Sequence, residues 1–223
     1  MMKDDFFDRL LLLPLFQGIG RGDFLEIAER IRLGFHNKSK GNVLVQQDEM
    51  CTGLTFILNG EVCSTKLSDH KDYELSEWIN LPMVLQPESL FGLSTRYTRT
   101  FKATTDVQVL RVEKDAVRDI LFYYPTFRIN YLNLLSTRVQ LAHRQLWKAC
   151  PDDLNLRFVQ FLNARCLRPA GRKELCISMN VLADELLATR LNVSKMLNAL
   201  AAEHKIELKR EKIVVPNMEH LMR

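Results

Sequence analysis

The chain reads as an α+β protein: a β-rich body with flanking helices, then a long helix, then two short helices and a two-stranded hairpin. Three observations predict this. Short runs rich in Val, Ile, Phe and Thr, separated by turn residues, fill residues 34–112, the pattern of a sandwich or small barrel. Helical periodicity then runs from Glu113 to about Lys148. Two short amphipathic segments joined by a tight turn follow Ser178, with a further pair of strand-like runs behind them.

Each element has its own signal. Residues 4–32 read as helical. Asp4 and Asp5 suit a helix start, and Pro14 stops that helix. A second helix is expected from about Gly22 to Ile31, capped by Asp23, with Phe24, Ile27, Ala28 and Ile31 on one apolar stripe. Strands are expected at Val43–Val45, Leu54–Leu58, Val62–Lys66, Met83–Leu85, Phe101–Ala103 and Val107–Val112. Asn59-Gly60 lies between two of them and predicts a type I′ hairpin, in which both central residues take positive φ.

The long helix is interrupted at Pro125. Beyond it, Leu132, Leu135, Val139, Ala142 and Leu146 alternate spacings of three and four, which is a heptad seam. Phe127, Tyr131, Leu134 and Leu141 form a second stripe that suits packing on the helix's own domain. A helix apolar on two sides has two partners to satisfy, and the seam is therefore expected to form a homodimer interface. Cys150-Pro151-Asp152-Asp153 marks a boundary, because proline ends one helix and either aspartate can cap the next. Leu154, Phe158, Phe161 and Leu162 give that next helix its buried face. Pro169-Ala170-Gly171 makes a loop, and Leu175–Ser178 a short strand. The expected organisation is a β-rich domain over 1–115, a dimerisation helix and linker over 116–150, and a third domain over 151–223.

Composition sets the class. The chain has 223 residues, 47% hydrophobic and 26% charged, an ordinary globular balance. The net charge of +4 is small, but residues 152–223 carry 12 Lys+Arg against 9 Asp+Glu. Between Leu186 and Ala202, Arg190 and Lys195 are the only charges. A basic surface without acids is what phosphate binding needs, although charge alone fits a solvated helix face as well. The Leu10–Leu15 run is too short for a bilayer, is broken by Pro14 and follows acidic residues. The expectation is a cytoplasmic protein with no membrane partner. Cys51, Cys63, Cys150, Cys166 and Cys176 are odd in number and lack CxxC spacing, which suits reduced core thiols rather than zinc or a cysteine-held cluster.

The segment from Ser178 to Leu200 carries the function. Val181–Leu187 is expected as one helix, capped by Ser178 or Asn180, and Thr189 caps a second to about Leu200. Val193, Met196, Leu197 and Leu200 fall on one face of the second helix. Arg190, Asn192, Ser194, Lys195 and Asn198 fall elsewhere. That geometry places a helix in a major groove of double-stranded DNA. Arginine bonds guanine edges, asparagine bonds adenine, and serine and lysine hold phosphates or read an edge. Lys205–Leu208 and Ile213–Val215 then form a wing around Lys209, Arg210, Glu211 and Lys212. Its cations suit a phosphate backbone.

These residues resemble those of the Crp/Fnr superfamily of bacterial regulators, over nearly the full length. Pro14-Leu15-Phe16-Gln17-Gly18-Ile19 is similar to that family's N-terminal entry. Lys40-Gly41-Asn42-Val43-Leu44 and Leu54-Thr55-Phe56-Ile57-Leu58-Asn59-Gly60-Glu61-Val62 are similar to its first β-roll turns. Leu182-Ala183-Asp184, with Thr189-Arg190-Leu191-Asn192-Val193-Ser194-Lys195-Met196-Leu197, resembles its helix-turn-helix and is the most specific match. The resemblance implies a double-stranded β-helix (jelly roll) effector domain, a long dimer helix, a C-terminal winged helix-turn-helix and contact with RNA polymerase.

The chain also departs from the family. A cyclic-nucleotide cassette needs Gly-Glu-Leu, a short helix, then Arg-Ser or Arg-Thr, so that N–H groups and one arginine hold the phosphate while glutamate takes the ribose hydroxyl. Here Phe91 to Thr100 is several residues short, and Leu93 stands in place of the glutamate. Cyclic AMP is not expected to bind in the usual way. Gly92, Arg96, Arg99 and Thr100 remain candidates for another anion, with a solvent-exposed loop arginine as the ordinary alternative. No cofactor is evident and the effector is left open. His36, His70, His143, His204 and His220 are scattered, which argues against a haem ligand pair and against a metal-binding β-roll enzyme. A β-roll module acting through protein contacts, without DNA, is the alternative function. At the DNA end, Leu187 falls where the turn usually has glycine. A left-handed leucine costs about 1–2 kcal/mol, so a differently shaped turn is expected. Leu191 replaces a common glutamate and can touch a thymine methyl but accept no hydrogen bond.

Overall fold

The computed structural model describes residues 9–31, 34–80 and 82–222. The expected helix start at Asp4 and Asp5 lies outside them. The chain forms two compact units: residues 1–62 with 80–143, and residues 63–79 with 144–223.

The first unit is the β-roll. A 3-10 turn at Pro14–Phe16 precedes helix α1 (Arg21–Arg30), whose N-cap is Gly20. Asp23 sits in the first turn of α1 rather than at its cap, where its charge still favours the helix N-terminus. Its strands are β1 (Gly34–Lys38), β2 (Val43–Val45), β3 (Gly53–Asn59), β6 (Met83–Leu85), β7 (Thr100–Ala103) and β8 (Val107–Glu113), while β4 (Val62–Leu67) and β5 (Tyr73–Ile79) come between β3 and β6 in the chain. One sheet has the order β1-β8-β3-β6, and β2 pairs with β7. Strand β3 is buried along nearly its whole length, so no alternation marks it.

Asn59-Gly60 does not close a hairpin. Strand β3 pairs with β6 and β8, and β4 belongs to a different sheet. Gly60 has φ +92, but Asn59 is not among the positive-φ residues, so the type I′ expectation fails. A side chain at Gly60 would collide with the Asp106 carbonyl, and the glycine serves this close approach.

Helix α2 (Lys114–Asp119) and a 3-10 turn lead into α3 (Pro125–Leu146). Phe127 and Tyr131 of α3 are buried. They join Phe16, Phe56, Phe91 and Phe122 in an aromatic cluster with ring centroids 5.3–6.3 Å apart. The Tyr131 hydroxyl donates to the Pro87 carbonyl at 2.7 Å, and burial pushes its pKa well above the usual phenol range.

The second unit is not continuous in sequence. Its sheet has the order β10-β11-β9-β5-β4, formed by β9 (Lys173–Ile177), β10 (Glu207–Lys209) and β11 (Lys212–Val215) together with the β4–β5 segment. Strand β5 runs antiparallel to β9, from Tyr73↔Ile177 to Glu77↔Lys173. Helices α4 (Leu154–Arg165), α5 (Met179–Glu185), α6 (Arg190–Ala202) and α7 (Met218–Leu221) complete the unit. Asp153 caps α4 by accepting from Leu156 N at 2.9 Å. The core joins Leu75, Phe158, Leu162, Leu175, Leu182, Val193 and Val215.

Candidate nucleic-acid interface

The recognition element begins at Ser178, whose Oγ accepts from Val181 N at 3.3 Å and caps α5. Helix α5 is seven residues long and buries Leu182 and Ala183. It ends in a Schellman arrangement: Ala188 N bonds Ala183 O at 3.0 Å, and Leu187 N bonds Asp184 O at 3.1 Å. The residue at the left-handed position is Leu187, with φ 49. The turn thus keeps the shape that glycine usually supplies, and the expectation of a different shape is corrected.

Thr189 follows with φ −75 and ψ 147 and caps α6 by accepting from Asn192 N at 3.2 Å. Val193, Met196, Leu197 and Leu200 are buried, as their spacing requires. This leaves Arg190, Ser194 and Asn198 as a stripe at successive i,i+4 positions, with Asn192 and Lys195 beside it. All but the half-buried Ser194 are exposed.

The wing is β10 and β11, paired from Glu207↔Val214 to Lys209↔Lys212. Arg210 and Glu211 form its tip, with Glu211 at φ 55. A groove between α6 and the wing is lined by Arg190, Ser194, Asn198, Lys209 and Lys212 from the expected set, and by Asn180. Asn180, in the sequence only a cap candidate, is a groove residue that no local pattern marks. Thr189 and Asn192 line a separate depression beside Leu187 and Arg157.

The cations are not equivalent. Lys212 Nζ lies 2.7 Å from Glu174 Oε2, and Lys209 Nζ lies 3.4 Å from Glu207 Oε2. Partial burial pushes the Glu174 carboxyl up, but hydrogen bonds from Lys212 and Arg172 outweigh it and hold the group below the usual range. Among the described residues, Arg190, Lys195 and Arg210 have no carboxylate partner.

The four effector candidates differ in exposure and in partners. Gly92 has φ +98 and is exposed, as is Leu93. Arg96 Nη1 donates to the Asp48 carbonyl at 2.6 Å. Thr100 Oγ1 accepts from Gln47 N at 3.0 Å. Arg99 is 5% exposed, which corrects its reading as a solvent-exposed loop arginine. Its backbone N–H and that of Thr98 both donate to Gln86 Oε1, at 3.2 and 3.1 Å.

On α3, Leu132, Val139 and Leu146 are 53%, 68% and 81% exposed in the single chain. Ala142 is also exposed and Leu135 half-buried. Leu141, expected to pack on its own domain, is exposed instead. The five cysteines are free thiols, and Cys150 is exposed rather than in a core. Among the described residues, no group of three or more His, Cys, Asp and Glu side chains is placed to hold a metal ion. No helix among them is long and apolar enough to cross a membrane.

Comparison with known proteins agrees with this geometry. Residues 35–124 match the cyclic nucleotide-binding domain family, and residues 156–223 match the Crp-like helix-turn-helix domain family. The global nitrogen regulator of Synechocystis sp. is 29% identical over 175 residues, covering 73% of this chain and 75% of that protein. The catabolite activator protein of Thermus thermophilus shares the fold at a TM-score of 0.54 and 18% identity, over 94% of this chain and 96% of its own. A protein from Eubacterium rectale described as a transcriptional regulator of the Crp/Fnr family has a TM-score of 0.51 and 19% identity, over the same shares. These relatives are regulators, not enzymes. With a cyclic nucleotide-binding-type β-roll in its first half and a Crp-like helix-turn-helix at its end, the chain belongs to the Crp/Fnr superfamily of DNA-binding transcription regulators.

Proposed function

We propose that the protein reads a two-fold symmetric operator as a homodimer, with α6 in the major groove and the wing on the phosphate backbone. The observation that carries this reading is the Arg190, Ser194, Asn198 stripe on α6, flanked by Lys195 and unneutralised by any acid of that helix. Arg190 starts the helix, at the end that enters the groove most deeply, and is the base reader. Lys195 and Arg210 hold phosphates. The exposed Leu132, Val139 and Leu146 seam on α3 supports dimerisation, because two such seams bury one another. Such a protein works in the cytoplasm and meets RNA polymerase there.

The effector of the β-roll is not cyclic AMP. Supporting this, Leu93 stands in solvent where a ribose-binding carboxylate is needed, and Arg96 is spent on the Asp48 carbonyl. The proposal is tested by titrating labelled random-sequence DNA with the purified protein across a salt series. Binding that falls steeply with salt supports it. No binding at low salt overturns it in favour of a module that acts through protein contacts.

A further inference from the structure

We infer that Arg157 is a positioning residue of the DNA-reading surface: its guanidinium holds the helix-turn-helix turn in the left-handed shape that Leu187 disfavours. The functional half of this inference rests on the operator-reading proposal above.

Leu187 has φ 49, a conformation in which a side chain crowds the following carbonyl. The leucine side chain is 76% exposed, so its own packing offsets little of that strain. Arg157 offers a specific compensation. Its Nη1 donates to both Leu186 O and Leu187 O at 3.2 Å. Its Nε donates to Pro151 O at 2.6 Å, and its Nη2 to Asp152 O at 3.3 Å. One planar guanidinium thereby fastens the turn to the segment entering α4. The carbonyls at the end of α5 have no partner further along that helix, and a cation there is favourable.

Arg157 is itself well placed to bear this load. It lies in the first turn of α4, its N–H bonds Asp153 O at 3.0 Å, and its neighbour Phe158 is fully buried. It has no carboxylate partner among the described residues, so its donors serve the backbone. Lysine has a single ammonium and cannot span four carbonyls in a plane. Two residues after Leu187, Thr189 caps α6 and Arg190 follows. A turn that loses its shape therefore shifts the base-reading end of α6.

The experiment is a double-mutant cycle of Arg157→Gln and Leu187→Gly in the full chain. Urea unfolding followed by tryptophan fluorescence gives the coupling between the two sites, independently of DNA. Titration of a selected operator and of random DNA across salt gives the functional consequence. Arg157→Gln is expected to lower stability against urea, to lower operator affinity about tenfold and to leave the salt slope unchanged, while Leu187→Gly recovers most of both losses. Equal losses in both backgrounds would overturn the inference. So would a salt slope reduced by about one per subunit, which would make Arg157 a phosphate contact. If Arg157→Gln fails to fold, Leu187→Gly must restore folding, and failure to do so also overturns it. Wild-type protein that binds no DNA would defeat the operator-reading proposal, while the unfolding cycle would still decide the coupling.

Discussion

Glu77 and Lys173 form an ion pair at 3.0 Å inside the second unit, with side chains 0% and 1% exposed. Backbone groups also hold both partners. Leu167 N donates to both Glu77 oxygens at 2.9 and 3.1 Å, and Lys173 Nζ donates to Ala170 O at 2.7 Å. The two residues stand opposite one another at the end of the β5–β9 ladder. Removing one partner strands the other charge, so Glu77→Ala should cost about 3–5 kcal/mol. Replacing both, as Glu77→Leu with Lys173→Met, should cost much less. Both tryptophans, Trp78 and Trp147, lie in the second unit, so urea unfolding followed by fluorescence reads the difference.

The same pairing predicts how the DNA-binding end behaves when isolated. A fragment of residues 144–223 lacks β5, which leaves the β9 edge open and Lys173 without its carboxylate. An open edge invites pairing with other chains. The fragment should aggregate or self-associate in light scattering, and adding back the β4–β5 segment as a fusion should restore a monodisperse species.

The α3 seam predicts the oligomeric state. Charged residues in place of Leu135 and Val139 should give monomers by analytical ultracentrifugation. Dimers of unchanged stability would remove the seam from the interface.

Calorimetry should show no binding of cyclic AMP at physiological concentration, because Leu93 cannot accept from the ribose hydroxyl and Arg96 is tied to Asp48 O. Micromolar binding within the β-roll would contradict this.

On the wing, Arg210 and Lys212 should behave differently. Arg210→Ala should weaken all DNA sequences similarly and lower the salt slope by about one per subunit. Lys212→Ala should do less, since Glu174 already neutralises that cation at 2.7 Å. Conversely, Glu174→Gln frees Lys212 and should raise both sequence-independent affinity and the salt slope, as read by fluorescence anisotropy.

Much of this was legible in the sequence where local patterns decide the structure. The stripe of Val193, Met196, Leu197 and Leu200, with Thr189 ahead of it, set α6 to within two residues of its end. Strand β5 was hidden by its own chemistry. Leu75, Glu77 and Ile79 alternate inward, but a glutamate in the buried register breaks the apolar pattern, and only the distant Lys173 explains it. Strand β1 was hidden for a different reason: it is exposed at four of its five residues and carries no apolar face to read. At Asn59-Gly60 the dipeptide signal was real but local, and strand pairing elsewhere turned the expected hairpin into a crossing between sheets. The turn at Leu187 is not legible locally, because Arg157, thirty residues earlier, bonds its backbone carbonyls and leaves no mark on composition.

Selection from random DNA, run in parallel with wild type and Arg190→Ala, tests the central claim most directly. Wild type should yield a two-fold symmetric consensus with half-sites about one helical turn, roughly 34 Å, apart. The substitution should cost about 1–3 kcal/mol and relax one base pair in each half-site. A consensus without two-fold symmetry, or one that Arg190→Ala leaves unchanged, would contradict the assignment of α6 as the reading helix.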